Sequence, residues 1–217
     1  SPDSVRGAET TFTQDVNPSD DRKSLLLFDL SSIPQGSVIL SAKLKFYIDA
    51  EGQGFNMHRM LVAWDETTAS FTSIGSMHFL TDNFDAESSL DVAWPGNDGY
   101  VGFDSLTIST STIQDWVDSV VVNNGWLMIG SHASDGQQLR SREFATVGDR
   151  PSLSISYTLP AVVAPVAPTA LALTAVSGTQ LDLSWVDNSN DETGFEIERS
   201  TTGLSLIHIS EPTRLLS

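Results

Sequence analysis

The clearest hydrophobic pattern in the chain lies at residues 22–48, where an apolar run, a turn and an alternating segment follow one another. The run at 25–28 has no polar position, which is typical of a strand buried on both faces. After the Pro-Gln-Gly turn at 34–36, apolar residues recur at every second position, which predicts a strand with one face on a core. The predicted core face carries Leu40, Ala42, Leu44, Phe46 and Ile48, and the wet face carries Ser41, Lys43, Lys45 and Tyr47. Two strands joined by a turn predict an all-β sandwich.

Further short strands are predicted at 57–62, 126–129 and 152–157. Residues 109–120 have a different period, because they place apolar side chains at helical spacing after serines that are candidate caps. The apolar residues of this predicted helix are Ile113, Trp116, Val117 and Val120. The expected fold is therefore an antiparallel β-sandwich with one short helix packed on its core.

Changes in composition divide the chain into successive parts. Residues 1–159 form the first predicted module, and the proline-rich residues 160–169 favour an extended linker. Residues 170–203 contain a second set of predicted strands. Residues 204–217 break the pattern with LSLIHISEPTR, which resembles the translation of a sequencing adapter. We interpret this tail as an adapter-derived artefact and base no functional argument on it.

Charge and composition exclude several classes of function. The net charge is −17, with 11 basic against 28 acidic residues, which argues against nucleic-acid binding. The chain has no cysteine, so disulfides and thiolate metal sites are excluded. No apolar run reaches the roughly 20 residues that span a bilayer, so membrane insertion is not expected.

Several short motifs occur in a fixed order along the first module. They are LLLFDLSSIP at 25–34, WDE at 64–66, WPG at 94–96, IQDWV at 113–117 and SRE at 141–143. Together they resemble the DNRLRE family of bacterial and archaeal β-sandwich modules, which is related to disaggregatase repeats and includes an alginate-binding group of carbohydrate-binding modules. The resemblance implies a jelly-roll-like sandwich. It also implies that the first strand of the family's module is missing, which would leave a neighbouring strand edge unpaired.

The second set of strands resembles the start of a fibronectin type III domain. Residues 181–185 match its second strand with the core tryptophan, and residues 195–200 match its third. The later strands of this immunoglobulin-like sandwich of about 100 residues are absent. The resemblance thus implies an incomplete domain at 170–203, and we expect 161–217 to be poorly packed when expressed alone.

Candidate ligand-binding residues are aromatic, polar and cationic groups in turn-rich segments. Sugar recognition uses an aromatic platform with polar groups beside it, which favours the loop at 94–100. The alternative is that Trp94 is a buried side chain that closes the end of the sandwich, like a plug. Local cations that could meet a uronate are found at two further places. The candidates are Trp94, Asn97, Tyr100, His58, Arg59 and Arg140.

Patterns for catalysis and metal binding are weak. His58, His78 and His132 have no metal-ligand spacing. Asp65 and Glu66 are expected on a strand, where adjacent residues point to opposite faces, so they cannot flank one glycosidic bond. Arg142 and Glu143 could pair with neighbouring charges or bind a ligand, and ion pairing at the rim of the sandwich is the favoured interpretation. The acids at 20–21 and 187–192 have the oxygens that calcium prefers, but their spacing places no site, so a structural calcium stays open and no cofactor is expected.

The resemblance to the DNRLRE family, together with the linker to a fibronectin-like segment, implies a non-catalytic carbohydrate-binding module of a secreted multidomain polysaccharide-acting protein. The alternative is a structural or adhesive β-sandwich module of a bacterial or archaeal cell-surface protein. In the first case the partners are a polysaccharide or cell-surface glycan and the neighbouring domains of a longer chain. Either interpretation implies a secreted or cell-surface location and no enzymatic activity of the fragment itself.

Overall fold

The computed structural model describes residues 4–17, 20–70, 85–97, 99–131, 136–161, 164–200 and 206–211. The chain divides into two compact units, Ser1–Pro160 and Ala161–Ser217. Antiparallel strands dominate, and one short helix packs on the first unit, which confirms the predicted all-β sandwich. Within the described ranges, no helix has the length and apolar character needed to cross a membrane.

The described residues of the first unit form nine strands and the helix. Their bounds are β1 Thr11–Asn17, β2 Asp20–Leu26, β3 Val38–Ala50, β4 Gln53–Arg59, β5 Val92–Gly96, β6 Gly102–Ile108, α1 Thr110–Val117, β7 Trp126–Gly130, β8 Gln137–Arg140 and β9 Ser152–Thr158. A short 3₁₀ turn lies at Val147–Asp149.

One curled antiparallel sheet runs in the order β5-β4-β7-β2-β1-β8-β3-β6, and β9 pairs with β3 beside β8. The curl brings the β4-β5 end over β3, where the ring of Phe46 lies 5.7 Å from that of Phe55 and 5.4 Å from that of Trp94. The main core therefore lies inside the curl.

Strand β3 confirms most of the predicted alternation. Ala42, Leu44, Phe46 and Ile48 are buried in the core. Leu40 was expected on the same face, and this prediction is wrong, because a register shift between Ile39 and Ser41 turns Leu40 outward, where it is 57% exposed. A bulge of this kind adds one residue to a strand and reverses the face that the following residues present.

The apolar run at 25–28 is not a strand buried on both faces. Strand β2 ends at Leu26, and Leu27 beyond it is 45% exposed. Leu26 packs on the main core, whereas Leu25 packs on a smaller cluster with Met60, Ala86 and Leu127. Leu25 and Leu26 thus pack on two different hydrophobic clusters, and Leu27 lies in the loop that follows the strand.

Helix α1 is shorter than predicted. Ile113, Trp116 and Val117 are buried as expected, but Val120 lies beyond the helix and is 70% exposed. The helix ends because Ser119 adopts a left-handed conformation with φ of 58°, and the Val120 N–H donates to the carbonyl of Asp115 at 2.9 Å. This is the hydrogen bond of a Schellman motif, which usually has glycine at the left-handed position.

In the described part of the second unit, four strands form two antiparallel pairs. Strands β10 Thr169–Ser177 and β11 Gln180–Val186 pair with each other, as do β12 Phe195–Ser200 and β13 Leu206–Glu211. The paired residues Leu173 and Leu183 remain exposed. Strand β13 lies within the tail that we interpret as adapter-derived. Its alternating apolar residues are sufficient to explain its pairing with β12, so we draw no functional conclusion from it.

Candidate functional site

Trp94 lies in the core instead of forming an exposed platform. Its side chain is 4% exposed, and its ring lies 5.2 Å from that of Phe55. The indole Nε1–H donates to Oδ2 of Asp104 at 3.2 Å, which joins β5 to β6. Of the two interpretations from the sequence, the plug is the one that the structure shows.

Asn97 and Tyr100 lie on the exposed loop that joins β5 to β6. The Tyr100 N–H donates to the Asn97 carbonyl at 3.1 Å, and the Tyr100 hydroxyl donates to the Phe103 carbonyl at 3.1 Å. Tyr100 is 38% exposed, so one side of its ring remains accessible. These two candidates share a surface loop, but the structure does not bring the other candidates to it.

His58 and Arg59 of β4 have structural partners. The Nδ1 atom of His58, which is buried, lies 3.1 Å and 3.0 Å from the carbonyls of Glu87 and Ser89. Arg59 forms ion pairs with Glu87 at 2.7 Å and Asp115 at 3.1 Å. The hydrogen bond to Glu87 is the main reason that the pKa of Arg59 is raised. These contacts engage the guanidinium that was expected to meet a uronate.

Arg140 of β8 is held in the same way. Its guanidinium lies over the rings of Tyr47 and Phe144, at 3.7 Å and 3.9 Å from their centroids. It pairs with Asp49 at 2.8 Å and also with Asp149. Burial lowers the pKa of Arg140, but the bond to Asp49 and the surrounding negative charges outweigh it and raise the pKa. The side chain therefore joins the 144–149 segment to the sheet.

The exposed side of β3, β6 and β9 carries a second set of polar and aromatic side chains. We call this surface the outer face and define it by Lys43, Lys45, Phe103, Ser105 and Ser154. Strand register brings these residues together, because Lys45 lies opposite Ser105 on β6 and Lys43 lies opposite Ser154 on β9. Side chains opposite each other in antiparallel strands share one face of the sheet.

A shallow depression of about 360 Å³ lies on the outer face and is lined by its five residues and by Asp104. Phe103 is 44% exposed, packs edge-on against Tyr47 at 4.9 Å, and has the Lys45 ammonium 3.9 Å from its ring centroid. Such a contact holds a lysine beside an aromatic ring without neutralising its charge. The surface therefore offers a ring, an ammonium group and hydroxyls within reach of one ligand.

Among the residues that the structure describes, no acid forms an ion pair with the two outer-face lysines. Lys43 and Lys45 are two of the three lysines in a chain of net charge −17. Neither has an ion pair with any residue that the structure describes. A pair of cations left open on an acidic protein is a local positive site.

A larger depression of about 590 Å³ lies between the β2–β3 loop and α1. Its walls are joined by hydrogen bonds from Asn123 Nδ2 to the Phe28 carbonyl and from Gln35 Nε2 to the Asp118 carbonyl, both at 2.9 Å. These bonds fix the chain around Trp116, so we interpret the depression as the seam between helix and loop.

The WDE and SRE motifs meet at the rim of the sandwich. Asp65 and Glu66 lie at a turn, which corrects the expectation of a strand there. The pKa of Asp65 is lowered, first by the hydrogen bond from the Thr67 hydroxyl and then by that from its backbone N–H. Glu66 pairs with Arg142, which also pairs with Glu143 at 2.9 Å as predicted. The carboxylates of this motif thus hold the rim together.

A metal site is not found in the part of the chain that the structure describes, where no three His, Asp or Glu side chains converge. His78, His132 and the side chains of Asp20 and Asp21 lie outside the described residues. In the 187–192 loop, the Ser189 N–H donates to Oδ1 of Asp187 at 3.2 Å. A structural calcium therefore stays without a position.

In comparisons with known proteins, no family model matches the chain and no curated protein matches it. The DNRLRE and fibronectin resemblances accordingly stay predictions from the motifs.

Proposed function

We propose that residues 1–160 act as a non-catalytic carbohydrate-binding module whose ligand lies on the outer face. The observation that supports this most is the exposed ring of Phe103, which shares one depression with two lysines that form no ion pair with any described residue. Sugar-binding surfaces combine an apolar ring face with a few polar groups that fix orientation. The motif resemblance to a family that includes carbohydrate-binding modules adds to this argument.

The charges favour an acidic glycan over a neutral one. Lys43 and Lys45 project from the same side of β3, roughly 7 Å apart along the strand. A carboxylate-bearing chain laid along β3 would place its charges near these ammonium groups. Since the rest of the protein is acidic, a polyanion would be repelled from most other surfaces.

The carboxylate that lines the depression is compatible with a binding role. Asp104 is the acid that lines the depression, and both of its oxygens are engaged. Oδ2 accepts from Trp94, and Oδ1 accepts from the Ser105 N–H at 2.7 Å. A glycosidase needs two carboxyl groups that face one bond, and no second acid lines the depression.

In this proposal the module belongs to a secreted or cell-surface protein that acts on polysaccharides. Binding would keep an attached domain close to its substrate by raising the effective concentration. This part of the proposal rests on the motif resemblance and on the two-unit organisation of the chain.

The test is isothermal titration of the full chain against a panel of neutral and acidic polysaccharides. We expect binding to an acidic polysaccharide that weakens about tenfold, or about 1.4 kcal/mol, in Phe103→Ala. Tyr100→Ala is the matched control, because Tyr100 is 38% exposed and Phe103 is 44% exposed. Lys45→Gln should also weaken binding, whereas Arg142→Gln, which removes an exposed cation at the rim, should not.

Two results would contradict this proposal. One is the absence of binding to every polysaccharide in the panel. The other is binding that Tyr100→Ala weakens as much as Phe103→Ala does.

A structural or adhesive role is the second candidate. It is favoured by the finding that Trp94, His58, Arg59 and Arg140 all make contacts that hold the sandwich together. It predicts that the chain binds no polysaccharide and that variants of the outer face are neutral in every binding assay.

A further inference from the structure

Strand β9 forms an unprotected edge of the sheet. Among the described strands it pairs with β3 alone, so its other edge presents backbone N–H and carbonyl groups. Its sequence is Ser-Leu-Ser-Ile-Ser-Tyr-Thr, which has no charge and no proline. An uncharged edge of this length is a template for pairing with another strand.

The other borders of the sheet carry features that discourage pairing. Strand β5 has five residues and contains Pro95, which lacks a backbone N–H. Strand β6 begins at Gly102 with φ of 142° and contains the acidic residue Asp104. Charges, prolines and short lengths are the usual protections of edge strands. Only β9 among these three has none of them.

We propose that β9 pairs antiparallel with β9 of a second copy of this chain, centred on Ser154. The residues around this centre read the same in both directions by chemical type, as Ser152, Leu153, Ser154, Ile155 and Ser156. In the centred register, Leu153 lies opposite Ile155 of the other copy, and Ser152 lies opposite Ser156. Each apolar side chain then meets an apolar one on the inner face, and each hydroxyl meets a hydroxyl on the outer face.

Burial and charge are compatible with this pairing. Leu153 and Ile155 pack against the core but are only half-buried, so an added strand would cover their exposed sides. The nearest lysines, Lys43 and Lys45, lie one strand further in on β3. Lysines of the two copies would be three strand spacings apart, about 14 Å. This exceeds the screening length of about 8 Å at physiological salt.

A functional consequence rests on the proposed glycan binding. Antiparallel pairing of one strand with its own copy forms a continuous sheet whose two-fold axis is perpendicular to it. Both outer faces then point to the same side. A single polysaccharide chain could contact both faces, and the second contact would be intramolecular.

Cross-linking of introduced thiols tests the register in the full chain. The chain has no cysteine, so Ser154→Cys introduces a single thiol that faces its own copy across the two-fold axis. Ser152→Cys and Ser156→Cys are matched controls on the same exposed side of β9. Each control alone places its two thiols four residues apart along the strand, about 14 Å.

Under mild oxidation at equal concentration, we expect Ser154→Cys to give at least tenfold more covalent dimer than either control alone. An equimolar mixture of the two controls should give the mixed dimer. Sedimentation equilibrium of the unaltered chain should show a reversible monomer–dimer equilibrium, and Ser154→Lys, which places two like charges opposite each other across the two-fold axis, should shift it to monomer.

The pairing is overturned if the unaltered chain sediments as a monomer up to about 1 mM. It is also overturned if the three thiol variants cross-link equally, because association through another surface, such as the exposed hairpins of the second unit, would not depend on position in β9. Dimerisation without glycan binding would retain this inference and refute the proposed function. Glycan binding by a chain that remains monomeric would support the proposed function and refute the pairing of β9.

Discussion

Replacement of Trp94 tests most directly that this side chain is buried in the core of the first unit. Replacement by alanine removes a side chain that is 4% exposed and packs on Phe46 and Phe55. Aromatic-to-alanine changes in cores cost about 3–5 kcal/mol, and here the bond to Asp104 is lost as well. We expect the free energy of unfolding to fall by about 4 kcal/mol, a large part of the 5–15 kcal/mol typical of a domain. Trp94→Phe keeps most of the ring and should cost about 1–2 kcal/mol.

The assay is urea unfolding of the full chain, followed by far-UV circular dichroism, with the slope compared between variants. Phe103→Ala is the control, because its ring is 44% exposed, and we expect a loss below about 1 kcal/mol. A Trp94→Ala variant that unfolds within about 1 kcal/mol of the unaltered chain would refute the burial of Trp94. A greater loss in Phe103→Ala than in Trp94→Ala would do the same.

Three further predictions concern stability. Ser119→Gly should raise the melting temperature by a few degrees, because a non-glycine residue at φ of 58° costs about 1–2 kcal/mol, which outweighs the entropic cost of glycine of about 0.5–1 kcal/mol. A lower melting temperature would contradict this. The pKa of Asp65 is lowered from 3.8 in the folded chain, so the ionised carboxylate stabilises the fold fully above that pH, and this stabilisation is lost as the pH falls below it. Asp65→Asn should therefore flatten the decline in the free energy of unfolding between about pH 5 and pH 2, measured by urea titration. An unchanged decline would count against the Thr67 contacts. Raising NaCl from about 0.05 to 0.5 M should raise the melting temperature, because salt screens the repulsion within a chain of net charge −17, and a fall in calorimetry would contradict this.

The fold was predictable where one-dimensional periodicity is the signal. The alternation along β3 correctly identified Phe46 and Ile48 as core residues. Periodicity cannot reveal a bulge, because the shift between Ile39 and Ser41 is visible only against the partner strand β9. The helix was located correctly, but its end depends on the left-handed conformation of Ser119, which the residue type serine does not predict.

The candidate site was less predictable, because it depends on register between distant strands. The sequence placed Lys43 and Lys45 on a solvent-exposed face of β3, but nothing in the order of residues indicates that β6 pairs with β3 and brings Phe103 beside Lys45. Arg59 and Arg140 were reasonable candidates as isolated cations. Three of their four acidic partners, Glu87, Asp115 and Asp49, are 28 to 91 residues away in the chain, and only the fold brings them together.

The central claim is that the ligand of the first unit lies on the outer face. The most direct measurement is ¹⁵N chemical-shift mapping of the full chain during titration with an acidic oligosaccharide. If the ligand lies on the outer face, the largest shifts occur at Lys43, Lys45, Phe103 and Ser105, and they diminish in Phe103→Ala. Shifts confined to the loop of Asn97 and Tyr100, or the absence of any shift at saturating ligand, would contradict it.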